Sequence, residues 1–146
     1  MERPRRHEQK SLLNAGAALT EPEAIELAIS LDHNPNDVQT RFKLAGFYIN
    51  KMYSESRVDP VLFEQLQWLM QSIPDLPLFS SVEAAYGCLD RDQFFSMYKT
   101  LLDTLDLHEH TIELLINAKR FLHDCKRDPE LEDRLSAELD ALRRVQ

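Results

Sequence analysis

Asn34-Pro35-Asn36-Asp37-Val38-Gln39-Thr40-Arg41-Phe42-Lys43-Leu44-Ala45-Gly46-Phe47-Tyr48-Ile49-Asn50-Lys51-Met52-Tyr53 is the stretch on which the reading of the chain turns. It begins with a turn-forming, proline-marked run and continues with Val38, Phe42, Ala45, Ile49 and Met52, spaced by 4, 3, 4 and 3 residues, which is the period of an amphipathic helix. Leu44, Phe47 and Tyr48 lie off that stripe. A helix apolar on two faces must pack against neighbours on both sides. The spacing therefore predicts a central helix over 37–53 in a layered helical protein.

The same grammar extends in both directions. Leu62, Leu66, Leu69 and Ile73 form one stripe, Phe94, Tyr98, Leu101 and Leu105 another, and Leu114, Ala118, Phe121 and Cys125 a third. Leu131, Leu135, Leu139 and Leu142 form the last. Helix starts are written locally. Thr20 with Glu23 and Ser80 with Glu83 have capping-box spacing, and Asp59-Pro60 and Asp128-Pro129 pair an N-cap carboxylate with a proline suited to the first turn. Helices are expected near 8–19, 21–32, 37–53, 60–73, 80–89, 91–106, 110–125 and 129–144, with no strand. The helix at 110–125 is also two-faced, through Ile112, Leu115, Ile116 and Leu122. Short connections favour antiparallel neighbours.

Composition agrees. Three glycines in 146 residues leave little material for hairpins or phosphate-cradling loops. A hydrophobic content of 43% supplies a core at this length without a metal or disulfide staple. No apolar run reaches the roughly 18–20 residues of a membrane span, and Met1 to Lys10 has no signal-peptide core, so a soluble, cytoplasmic protein with a natural N-terminus is expected. Cys88 and Cys125, without CxxC spacing, read as buried thiols of a reducing compartment. The net charge is −8, and residues 54–110 alone sum to −7. Basic residues cluster only in the arm Arg3, Arg5, Arg6, Lys10 and at Arg143, Arg144, which disfavours nucleic-acid binding. Residues 1–10 are read as a flexible basic arm and 11–146 as one helical domain.

Asn34-Pro35-Asn36-Asp37 followed by Leu44-Ala45-x-x-Tyr48 resembles the boundary and first helix of a tetratricopeptide repeat. Pro74-Asp75 resembles the next boundary. Asn117-Ala118-x-x-Phe121 takes the place of Leu44-Ala45-x-x-Tyr48 73 residues downstream, about two repeat lengths. The resemblance covers roughly residues 21–142, and Arg41 or Phe42 stands where the family places a tryptophan. It implies an all-α fold of antiparallel helix pairs stacked as a short right-handed superhelix, whose concave face binds a peptide or helix of another protein. Carried over residue by residue, that face includes Gln39, Phe42, Lys43, Gly46 and Asn50, then Ile112, Leu115, Ile116, Lys119 and His123. Phe42, Gly46 and Leu115 break the lysine and asparagine pattern with which chaperone-binding members hold a terminal carboxylate.

Catalysis has no visible address. His108-Glu109-His110 places its histidines two apart, off a common helix face, and Asp90-Arg91-Asp92 lacks an accompanying phosphate loop; no metal or cofactor is expected. His123 and Cys125 point apart on one helix. The sequence reads as a non-catalytic adaptor that binds a partner protein, with self-association through the last helix as a further possibility, Arg134, Arg143 and Arg144 facing the acidic middle of a second copy. The alternative is a small acidic regulatory or inhibitory protein of the immunity type that holds a basic partner through residues 54–110.

Overall fold

The computed structural model describes residues 4–73, 91–104 and 112–145. Every element among them is α-helical: α1 (Arg6–Ala17), α2 (Glu21–His33), α3 (Val38–Glu55), α4 (Pro60–Ser72), α5 (Arg91–Thr104), α6 (Ile112–Asp124) and α7 (Pro129–Val145). The expected helix at 80–89, the Ser80–Glu83 cap, Pro74-Asp75, Cys88, Asp90 and His108-Glu109-His110 lie outside the described residues.

The local start signals act as their chemistry dictates. At α2 the Glu23 N–H reaches Thr20 Oγ1 at 3.4 Å, while the Thr20 N–H and hydroxyl each donate to Glu23 Oε1 at 2.9 Å and hold the Glu23 carboxyl below its ordinary pKa. Asp37 accepts from the Thr40 N–H at 3.2 Å, Asp59 from the Val61 N–H at 2.9 Å and Asp128 from the Leu131 N–H at 3.1 Å. Each carboxylate satisfies an amide that the first turn leaves unpaired. The α3 helix runs on to Glu55, through part of the Tyr53–Arg57 stretch that reads as a connection, and ends at Ser56 in the left-handed region, φ 52°.

The chain packs as two compact units, Met1–Leu69 and Met70–Gln146. In the first, α3 is the centre. Phe42, Leu44, Ala45 and Met52 are fully buried, and burial of each large side chain contributes roughly 1.5–3 kcal/mol. From α2, Ala24 and Leu31 close on Leu44, with Leu27, Ala28, Phe47 and Tyr48 around them. On another side lies α1, seated by reciprocal glycines. A Cβ on Gly16 would fall within the Lys43 carbonyl group, and one on Gly46 within that of Leu13, so only hydrogen at both positions lets the two backbones meet.

The same helix, α1, begins at Arg6, within the stretch read as a flexible arm. Its first turn is tied down as well: Gln9 is buried and donates to the Pro4 carbonyl at 3.0 Å, and Glu8 accepts from the Arg5 N–H at 3.4 Å. Docking of α1 on α3 offsets the ordering entropy that would otherwise leave a terminus loose.

In the second unit Phe121 of α6 meets two rings of α5, Phe94 at 6.1 Å and Tyr98 at 5.5 Å between centroids. Lys126 pins the same helices at their edge, 2.6 Å from Asp92 and 4.8 Å from the centre of the Phe95 ring. α7 packs on α6, with Leu135 and Leu139 buried and Leu131 and Leu142 half-buried. Cys125 is disulfide-bonded, where the sequence suggested a reduced thiol.

Candidate functional site

The residues carried over to a concave binding face are divided between the two compact units. Phe42 is fully buried in the core and Gly46 is covered by α1, so neither meets a ligand; this corrects the expectation at both positions. The physical reason is that the missing side chain of Gly46 admits another helix of the same chain. Lys43 is half-buried, its backbone under Gly16, whereas Gln39 and Asn50 are exposed. In the second unit Leu115 is fully buried and Ile112 and Ile116 are half-buried.

Lys119 and His123 do come together. With Arg120 and Arg127 they line a cleft of about 470 Å³ whose other wall is Glu132, Asp133 and Ser136 of α7. Arg127 Nη1 lies 2.7 Å from His123 Nδ1; arginine only donates, so Nδ1 accepts and the ring carries its proton on Nε2. Arg127 Nε stands 3.4 Å from the Glu132 carboxylate, whose side chain is mostly buried. Lys119, Arg120 and Arg127 face Glu132 and Asp133 across this cleft, so its charged lining sums to +1 with His123 neutral, and Arg127 is already paired with Glu132.

A second concavity, of about 580 Å³, lies in the first unit between α2 and α4 and was not foreseen. One wall is Ile25, Ala28, Ile29 and Asp32, the other Val61, Glu64 and Gln65, and Tyr48 and Arg41 form the floor. Ile25 and Ile29, one turn apart, are 52% and 55% exposed. Burial raises the Tyr48 phenol above its ordinary pKa, Asp59 adding to the effect and Lys51 opposing it. Arg41 is buried and makes three hydrogen bonds within the chain. Its Nε and Nη2 donate to the Pro35 carbonyl at 3.3 and 2.9 Å, Nη1 donates to Gln65 Oε1 at 3.1 Å, and the guanidinium lies 4.8 Å from the centre of the half-buried Trp68 ring. Burial pulls its pKa down against the charge of Glu64.

The signal for this groove was present in α2, where Ala24, Ile25, Leu27, Ala28, Ile29 and Leu31 are more apolar positions than one buried stripe can use. Which of them face water depends on the neighbours, and the spacing alone does not say.

No family model, curated protein or solved structure matches the chain. Among the described residues no group of three His, Cys, Asp or Glu side chains is placed to share a metal ion, and no helix is long and apolar enough to cross a membrane.

Proposed function

We propose that the chain is a non-catalytic protein–protein interaction module that receives a peptide or helix of a partner protein in the groove between α2 and α4. The observation that carries this reading is the pair Ile25 and Ile29, half exposed on the rim of a groove floored by Tyr48. Aliphatic side chains one turn apart on a rigid helix offer anchors to a partner, and covering each would contribute about 1 kcal/mol. The resemblance of Leu44-Ala45-x-x-Tyr48 to a tetratricopeptide first helix, and the burial of Leu44 and Ala45 under neighbouring helices, support a short right-handed superhelix of antiparallel pairs. The ligand-facing surface, however, moves from Phe42 and Gly46 to the α2–α4 side.

A photo-crosslinking amino acid at Ile29, introduced in the native host, tests the proposal. A discrete adduct with another protein, absent when the same group stands at the exposed Ala141, is the expected result. No adduct, or the same adducts from both positions, would overturn it.

A further inference from the structure

The charges around the groove narrow its occupant, on the footing that the groove is the interaction site just proposed. Helix α2 carries Glu21, Glu23, Glu26 and Asp32, helix α4 carries Glu64, and neither holds a lysine or arginine. Some of these acids are committed, Glu23 to its cap and Glu21 to Lys51 at 3.7 Å. Asp32 and Glu64, which line the groove itself, are tied into no hydrogen bond or ion pair among the described residues, and both are exposed.

The floor cation is largely withheld from a ligand. Three of the five Arg41 N–H groups are bonded within the chain, to the Pro35 carbonyl and Gln65, its face lies on Trp68, and the residue is only 8% exposed, so little of the guanidinium is open to an incoming carboxylate. What the groove presents outward is an aliphatic strip with a carboxylate on either wall.

We infer that the partner segment is a basic amphipathic helix, with aliphatic side chains one turn apart that seat against Ile25 and Ile29 and lysines or arginines that reach Asp32 and Glu64. A helix matches because the strip on α2 has helical spacing, so that ridges of one helix enter the groove beside the other. A basic one matches because like charge at both walls would repel an acidic segment, while opposite charge speeds association and sets partner choice. The surface lies within residues 25–65, apart from the strongly acidic stretch 54–110 that composition alone singles out, which it overlaps only at Val61, Glu64 and Gln65.

The test is selection from a display library of randomised single-helix peptides on the intact chain, counter-selected against an Ile25→Ser, Ile29→Ser variant whose helicity is checked by circular dichroism. Enriched peptides should carry lysine or arginine flanking aliphatic residues at one-turn spacing. Their affinity should fall by about tenfold or more in Asp32→Lys, Glu64→Lys, and by a similar factor on raising the salt. Enrichment of acidic or uncharged helices, or an affinity indifferent to the charge reversal, would overturn the partner chemistry and leave the interaction module standing. No enrichment over the serine variant, with the Ile29 crosslink to a partner intact, would overturn the helical basic occupant alone. If the crosslink fails as well, the module reading falls with it, and an adduct of the chain with itself would replace the foreign helix by a second copy.

Discussion

Leu44-Ala45-Gly46-x-Tyr48-x-Asn50 in the first unit and Asn117-Ala118-Lys119-x-Phe121-x-His123 in the second stand in the same register, and their helices are used in opposite ways. Ala45 and Ala118 are both fully buried, so the shared alanine marks the packed side of each helix. One position on, Gly46 admits α1 to backbone contact, while Lys119 lines an open cleft. At the aromatic position the roles reverse again, with Phe121 sealed between α5 rings and Tyr48 forming the floor of a groove. A register shared in sequence thus does not carry a binding face with it. The size of the residue one step from the buried alanine decides whether that side is closed by the chain itself or left to solvent.

The comparison can be broken most severely at the glycine. Gly46→Ala should destabilise the first unit by about 3 kcal/mol, because the added methyl meets backbone that cannot turn aside, whereas Lys119→Ala should change stability by less than about 0.5 kcal/mol. Urea denaturation of the two variants measures both, and equal losses would remove the contrast. Less depends on the leucine position. Leu44 is fully buried among apolar neighbours, but Asn117 is 2% exposed and its Nδ2 has no hydrogen-bond partner among the described residues. Asn117→Leu should therefore stabilise the protein by about 1 kcal/mol by removing an unsatisfied buried donor, and a loss of stability would show that the amide has a partner in solution.

The smallest effect concerns acid. The Asp92 carboxyl is held below its ordinary pKa chiefly by the hydrogen bond from Lys126, with the lysine charge adding to it. A lowered folded-state pKa stabilises the ionised form, so the contribution is full above the unfolded-state value and is lost as pH falls through the folded one. Asp92→Asn should flatten the acid limb of the stability curve slightly and leave neutral pH nearly unchanged, since an exposed pair is worth little.

Much of this was legible in the linear chain. Helix starts at Thr20, Asp59 and Asp128 follow from side chains within three residues of the amides they serve, and the stripes from Val38, Leu62 and Leu114 follow from the helical period. Such rules act over one turn of backbone. The candidate site was less legible, because Ile25 and Ile29 differ from Ala24 and Leu31 only in which neighbour their direction meets. Likewise Gly46 reads as an open position until α1 is placed on it.

The sequence by itself determined that the described chain is all helical, where most of its helices begin and which side of each is apolar, since capping and periodicity are local. Only the tertiary structure decided that α1 closes the α3 face at Gly46, that Arg41 is buried against Pro35, Gln65 and Trp68, and that an aliphatic strip between acidic walls stays open. Those outcomes depend on which helix lies against which, and that pairing is set by side-chain volumes meeting across tens of residues rather than by any pattern within one turn.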